Sequence, residues 1–303
     1  MPDSILKQTT ENTDTPLVTI IITTHKRPPK LVSRAVLSVC NQTYKNLEII
    51  IVDDSPSDYA ERRDVYESIK RLEDPRITYL VNEENVGACA SRNRAIKNSL
   101  GEFVMYVDDD DELLAECVEK RLEKFTAPEI GLVYGDCYTI NEETGEKKLS
   151  NQDKYSGNVF DELIKNNFVY AFPMMRRECF AKCGLFDVKM QAAQDYEMWL
   201  RIAEKYQFNY NEEPLSIVHL HAGERISKNP LKKIQGLERI GFLYETYLKT
   251  HPDAYHIRMI KLAPFYRMAG ERRKAWKLYF SAVKVRPFSI RTNLQYLRAM
   301  ISK

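Results

Sequence analysis

Four apolar runs separated by helical patterns constrain this chain more than any other feature. Val18-Thr19-Ile20-Ile21-Ile22 is continuous and rich in β-branched side chains, as parallel strands buried on both faces are. Leu47–Val52, Arg76–Val81 and Glu102–Val107 repeat the signal. Between them, Val32, Ala35, Val36, Val39 and Cys40 fall on one helical face, Tyr59–Leu72 reads as a second helix, and Ala88–Leu100 as a third that Gly101 stops. Strand and helix in alternation predict an α/β fold built on a parallel sheet. Ligands of such sheets bind beyond the carboxyl ends of the strands. Thr23–His25, Asp53-Asp54 and Asp108–Asp111 all fall at such ends, so three distant stretches are expected to meet in one crevice.

The last of these is costly to place. Tyr106-Val107 leads out of a buried-looking strand into four adjacent carboxylates, Asp108-Asp109-Asp110-Asp111. Like charges repel, and none can be buried without a partner. A hard divalent cation with oxygen ligands would resolve the conflict and would in turn hold a diphosphate. The plainer reading is an acidic surface turn opening a helix from Leu113, where the helix dipole favours Asp.

At 44% hydrophobic and 29% charged residues, the composition is that of a globular protein. No apolar run approaches the roughly 18 residues of a membrane span. Met1–Thr15 is polar and lacks the apolar core of a signal peptide, so a cytoplasmic protein is expected. Cys40, Cys89, Cys117, Cys137, Cys179 and Cys183 are scattered, with only the last two close together and no second pair to complete a zinc site; reduced, mostly buried thiols are expected. The net charge of +2 conceals an asymmetry. Residues 225–303 carry 18 Lys and Arg against 4 Asp and Glu, leaving 27 against 39 for residues 1–224. Phe242, Tyr244, Tyr247, Phe265, Tyr266, Trp276, Tyr279 and Phe280 are interleaved in this basic tail. The mixture suits an anionic membrane surface or another polyanion. It also suits a helical bundle with aromatics inside and a solvated basic face.

Beyond the acidic run the pattern changes. Gly131–Ile140 reads as a strand, Asn141–Gly145 as a turn and Asp161–Asn166 as a short helix. Asp195–Tyr206 reads as a longer helix with Met198, Trp199 and Ile202 apolar, and Ser216–Leu220 as a short strand ending at His221. From about Asn229 only helical patterns remain, among them the stripe Ala275, Leu278, Tyr279, Ala282 and Val283 before Pro287.

These landmarks, in this order, resemble a family 2 glycosyltransferase of the GT-A fold. The resemblance spans roughly residues 16–228. It rests on Val18–Thr24; on Ser38-Val39-Cys40-Asn41-Gln42-Thr43-Tyr44; on Glu48–Ser55; on Asn85-Val86-Gly87 and Ser91-Arg92-Asn93; on Tyr106–Asp111; on Gly184-Leu185-Phe186-Asp187; and on Gln194–Arg201. Two departures stand out. Gln194-Asp195 replaces the family's frequent Glu-Asp but keeps the second acid, and Ser55-Pro56 replaces the commoner Gly-Ser after the second strand. The resemblance implies an α/β GT-A mixed sheet with helices on both faces at 16–228; the polar stretch before it reads as a flexible N-terminus at 1–15, and the helical patterns after it as a basic, aromatic-rich α-helical appendage at 229–303.

It also implies roles. Thr23, His25, Arg27, Asp53, Arg92, Asp108, Asp109 and Asp110 form the expected nucleotide-sugar-binding set. Asp53 would accept from the ring N–H of a uracil-type base, Thr23 and His25 would line the base pocket, and Arg92 would reach the diphosphate or base. Asp108 and Asp110 form the Asp-x-Asp pair, one for ribose hydroxyls and one for Mn²⁺ or Mg²⁺. Asp111 is the neighbouring candidate ligand, Asp109 is expected to face away, and His221 would complete the metal or diphosphate site. Arg225 and Ser227 would sit in a loop closing over the donor. Asp195 is the expected general base, with capping of its helix as the plainer role. Trp199 reads as core, and Tyr196 as core or sugar-stacking.

The activity so implied is inverting transfer of a sugar from a nucleotide-diphospho-sugar, a UDP-sugar first, to a hydroxyl acceptor in polysaccharide, lipopolysaccharide or related glycan synthesis. The acceptor would be a glycan or lipid-linked, the tail would rest on the inner membrane face or pair two chains, and nucleic acid is not an expected partner. A non-catalytic nucleotide-sugar or glycan-binding module is the alternative. A dinucleotide oxidoreductase is set aside, because Thr23-Thr24-His25-Lys26-Arg27 stands where Gly-x-Gly-x-x-Gly would be needed.

Overall fold

The computed structural model describes residues 15–221 and 229–301. The chain opens with β1 (Val18–Thr24), α1 (Pro29–Cys40), β2 (Leu47–Asp53), α2 (Arg62–Lys70), β3 (Ile77–Val81), α3 (Ala88–Asn98) and β4 (Phe103–Asp108). Next come β5 (Glu112–Leu113), α4 (Cys117–Leu122), β6 (Ile130–Gly135), β7 (Tyr138–Asn141), β8 (Lys147–Leu149) and α5 (Phe160–Leu163). They are followed by β9 (Met174–Arg176), α6 (Glu178–Cys183), α7 (Gln194–Ala203), β10 (Gln207–Asn211) and β11 (Ser216–Leu220). The last helices are α8 (Pro230–Leu243), α9 (Glu245–Thr250), α10 (Pro252–Met268), α11 (Arg272–Val285) and α12 (Ile290–Ile301).

The chain divides into two compact units. Of the described residues, the first comprises 15–158, 168–186 and 201–221; the second comprises 159–167, 187–200 and 229–301. The second unit thus takes two segments that the sequence reading assigned to the larger domain. A buried cation accounts for their company with the C-terminal helices. Arg258 of α10 donates to the Ile164 carbonyl at 3.3 Å, the Tyr196 hydroxyl at 3.2 Å and the Leu237 carbonyl at 3.1 Å. Burial holds its guanidinium pKa below the usual value, the Tyr196 contact opposing the shift. Such a group is retained in an interior only where hydrogen bonds replace its lost hydration.

In the first unit a seven-stranded sheet runs β10-β6-β9-β4-β1-β2-β3. β1 lies parallel to β2 and β4, and β9 is antiparallel to β4 and β6, so the sheet is mixed. The β-branched runs of β1 and β2 are buried against α1 and its neighbours, with Ile20, Ile22, Ile49 and Ile51 fully enclosed. Register puts Thr24 opposite Asp53 and Thr23 opposite Asp108, which aligns three strand ends at one edge. A smaller sheet, β5-β11-β7-β8, follows the acidic run.

Two sequence expectations are corrected here. The run Gly131–Ile140 is two strands in different sheets, broken at Asp136-Cys137. Asp136 is buried at the break and accepts from the Ser150 and Tyr210 hydroxyls, so the corner is hydrogen-bonded rather than extended. No helix starts at Leu113; Glu112–Leu113 pairs with β11, and the helix begins at Cys117. β8, β9, α6 and β10 had no counterpart in the sequence reading, being too short or too polar to show a period.

The second unit packs α8, α10, α11 and α12 around Ile260, Ala263, Tyr266, Ala275, Tyr279 and Ala282. His256 is enclosed there and its Nδ1–H donates to the Ala282 carbonyl at 2.8 Å. The stripe read from Ala275 to Val283 is the inward face of α11. The tail's aromatics divide between roles: Tyr244, Tyr266 and Tyr279 are buried, whereas Phe242 and Phe280 are exposed. None of the six cysteines is bonded to another, and Cys89, Cys117, Cys137 and Cys179 are buried as expected.

Candidate active site

The acidic run is a β-turn. The Asp111 N–H donates to the Asp108 carbonyl at 3.2 Å, and the turn splays the side chains toward different partners. Asp108 points outward, within 3.4 Å of an Arg92 guanidinium nitrogen. Asp109 is buried and accepts from Arg27 Nε at 2.9 Å. The expectation that Asp109 faces away is therefore corrected. Burial is the main reason its carboxyl pKa lies above the usual value, and Arg27 opposes that rise. Asp110 meets Arg27 Nη2 at 3.2 Å and His221 Nε2 at 3.1 Å. Asp111 is also buried, and its Oδ1 accepts from the His219 N–H of β11 at 2.7 Å. The repulsion that seemed to require a metal is met by Arg27, Arg92 and a backbone amide.

The same geometry separates Asp110 from Asp111. Asp111 fastens the turn to the second sheet, whereas Asp110 and His221 face one another beside Arg27. Among the described residues, His221 Nδ1 is enclosed without a hydrogen-bond partner. A carboxylate oxygen and an imidazole nitrogen 3.1 Å apart suit two ligands of one cation. Among the described residues, no group of three or more His, Cys, Asp and Glu side chains could hold a metal ion. Mg²⁺ and Mn²⁺ sites commonly complete their shell with substrate phosphates and water, so a pair of protein ligands is compatible with such an ion.

Arg34 of α1 braces the turn from below. Its Nη2 donates to the Asp110 carbonyl at 2.5 Å and its Nη1 to Glu142 at 2.7 Å. His219 lies between Glu112 and Glu142, with ring nitrogens 2.7 and 3.2 Å from their carboxylates. The sequence reading missed Arg34, Glu112, Glu142 and His219. Arg34 carries the one signal available, a cation on the exposed side of an amphipathic helix whose other face is core.

Beyond β1, the His25 Nδ1–H donates to the Asp54 carbonyl at 2.8 Å, and Lys26, in the left-handed region at φ 49°, donates its N–H to Ser55 Oγ. Thr23 lies at the strand end, half-buried opposite Asp108. Asp54 is buried and fully engaged: it accepts from Asn82 Nδ2 and from the Val86 and Gly87 N–H groups at 2.7, 2.9 and 2.8 Å. It thereby shapes the turn before α3, where Gly87 has φ 86°. Arg92 emerges from α3 with its guanidinium 5.6 Å from the Tyr106 and Phe186 ring centres, a stacked position that orients it toward Asp108. Asn93 exchanges two 2.9 Å hydrogen bonds with the Phe186 backbone, which fixes that ring in place.

Asp53 borders a cavity of about 480 Å³ shared with Ser57, Tyr59, Arg62, Tyr66, Tyr79 and Val81. Its carboxylate accepts from the Ser55 N–H at 2.9 Å, the Tyr79 hydroxyl at 3.0 Å and Arg62 Nε at 3.3 Å. Burial, then the charge of Asp53, pushes the Tyr79 phenol pKa far up, so it remains a donor. Arg62 and Tyr79 were not picked from the sequence. Their signal is topological, since β3 lies beside β2 and α2 connects the two.

In the second unit, Asp195 is exposed in the first turn of α7, and the preceding Ala193 has φ 56°. Trp199 is buried as read, and Tyr196 is core, its hydroxyl donating to the Leu163 carbonyl at 2.7 Å. Arg225 and Ser227 lie outside the described residues.

Comparison with known proteins agrees with this architecture. The family model described as glycosyl transferase family 2 matches residues 19–184. Over 285 residues, 89% of this chain and 94% of its relative, the sequence is 32% identical to WcaA of Escherichia coli K12, provisionally named a colanic acid biosynthesis glycosyl transferase. S. aureus TarS 1–349, solved in complex with UDP-GlcNAc, superposes with a TM-score of 0.65 at 15% identity, covering 93% of this chain and 81% of that one. The mannosyltransferase PcManGT of Pyrobaculum calidifontis, solved with GDP-Man and Mn²⁺, superposes with a TM-score of 0.56 at 19% identity, covering 95% and 86%. The chain belongs to glycosyl transferase family 2 and has the GT-A fold.

Proposed function

We propose that this glycosyltransferase takes a UDP-sugar as donor, uses Mn²⁺ or Mg²⁺, and inverts the anomeric centre with Asp195 as general base. The observation that carries the donor reading is the meeting of Asp53, His25, Arg27 and Asp108–Asp110 at adjacent strand ends, with Arg92 reaching Asp108 from α3. The base would enter the Asp53 cavity. Its ring N–H would replace the Arg62 contact, the longest of the three on that carboxylate at 3.3 Å. The released guanidinium would then donate to a ring carbonyl, an arrangement that suits uracil. Asp108, the most exposed of the four acids, would accept from the ribose, and Arg92 would move from Asp108 onto the diphosphate.

Asp110 and His221 would hold the cation, with Asp109 balancing Arg27 beside it. When bound, the ion would supply positive charge that stabilises the departing nucleoside diphosphate. Arg27 supplies a fixed cation to the same region. Asp195 would accept the acceptor hydroxyl's proton as that oxygen attacks from the face opposite the diphosphate. The WcaA relationship favours an acceptor in polysaccharide biosynthesis. A non-catalytic binding module is disfavoured, because every acid needed for chemistry is present.

Donor hydrolysis across a panel of UDP-sugars and GDP-mannose, each with and without Mn²⁺, tests the reading. Release of UDP from one UDP-sugar, dependent on the ion, is the expected result. Cleavage of GDP-mannose alone would overturn the donor assignment, and no cleavage by folded protein would favour the binding module.

A further inference from the structure

We propose that the paired helices α11 and α12 form a docking surface for an anionic lipid bilayer. From Arg272 to Lys303 the chain has nine Lys and Arg and no Asp or Glu. Arg286 pairs with Asp253, but Arg272, Arg273, Lys277, Lys284, Arg291 and Arg298 make no ion pair among the described residues. Arg273, Lys277, Phe280 and Lys284 recur at spacings of four, three and four, and all are exposed, so they form one stripe along α11. On α12, Ile290, Leu294 and Ile301 fall within about 40° of one another around the helix axis, with Arg291 and Arg298 along one flank. The connection between the helices presents Phe288 at 93% exposure, and Ile301 and Ile290 are exposed by 65% and 63%.

Apolar side chains at the connection and along α12, flanked by cations without carboxylates, match what an interfacial element needs. The rings and branched chains enter the acyl boundary while Lys and Arg reach back to phosphate headgroups. The composition also argues against other occupants. A second copy of the same face would set two uncompensated positive surfaces against each other. A nucleic acid would meet the charge but leave Phe288, Ile290, Leu294 and Ile301 in water. The inference is independent of the donor reading, since none of these residues belongs to the first unit.

The test is cosedimentation of the full chain with vesicles of phosphatidylglycerol and phosphatidylcholine, or of phosphatidylcholine alone. Binding to the anionic vesicles at least about tenfold tighter than to the neutral ones is expected, weakening as salt is raised. Arg291→Glu with Arg298→Glu should lose at least about tenfold of that affinity. Phe288→Ser with Leu294→Ser should abolish what survives at high salt. Circular dichroism and the melting temperature of each variant verify that it is folded. Equal binding to both vesicle types, or none by the folded chain, overturns the proposal. So does a dimer in light scattering that Phe288→Ser with Leu294→Ser dissociates without any vesicle binding.

Discussion

Asp195→Asn is expected to lower turnover about a thousandfold while leaving UDP affinity unchanged. The amide keeps the carboxylate's shape but cannot take the acceptor's proton. Asp195 is exposed in the first turn of α7, where loss of its charge weakens the interaction with the helix dipole by roughly 0.3–1 kcal/mol. A general structural defect would instead lower the melting temperature and the donor affinity together. Steady-state UDP release, read beside a calorimetric titration of UDP, separates the two. Turnover equal to that of the unaltered protein would remove Asp195 as the base.

Asp110→Asn should act on the other half of the reaction. The variant removes the carboxylate that meets both Arg27 and His221, at 3.2 and 3.1 Å. Catalytic efficiency is expected to fall about a hundredfold or more, because charge on the leaving diphosphate loses several kcal/mol of stabilisation. The diagnostic readout is binding: UDP affinity should become weak and indifferent to Mn²⁺. Asp111→Asn makes an instructive contrast. Asp111 is bonded to the His219 amide of β11, so that variant should lower stability first and lose its Mn²⁺ response less. If Asp110→Asn keeps a full Mn²⁺ response, the ion is held elsewhere.

The strands and their order of function were legible because burial on both faces leaves a continuous apolar signature. Val18–Thr24, Leu47–Asp53 and Phe103–Asp108 each run one or two residues past the C-terminal end read from the sequence, and the last two end at acids that mark the site. What sequence could not show was how the turn at Asp108–Asp111 divides its charges. Periodicity says nothing about a turn, and the partners Arg27, Arg92, His219 and His221 lie 16 to 111 residues away in sequence; only the fold brings them in. The motif Ser38–Tyr44 illustrates the same limit. It marked the family, yet its function here is architectural: Gln42 is fully buried, donating to the Leu114 carbonyl at 2.9 Å and accepting from the Val118 N–H at 3.1 Å. Ser38 Oγ accepts from the Leu113 N–H, so the motif carries the segment just after the acidic turn. The short elements β8, β9 and β10 were invisible for a different reason. Their strand character comes from neighbours in the sheet rather than from their own residues, as tertiary pairing overrides weak local preference.

The two units explain why the second half of the chain was harder to divide. The segments at 159–167 and 187–200 have no composition break that separates them from the sheet domain, and their grouping with the C-terminal helices depends on buried contacts such as Arg258 with Tyr196. A polar hydroxyl and a guanidinium meeting in an interior leave no periodic trace in a sequence.

The most direct measurement is calorimetric titration of the purified protein with UDP, with and without Mn²⁺, beside the same titration with GDP. UDP binding that strengthens at least about tenfold with Mn²⁺, with GDP much weaker, is the result this account predicts. UDP binding indifferent to the ion would contradict the pairing of Asp110 and His221 around a cation, and a preference for GDP would contradict the uracil pocket at Asp53.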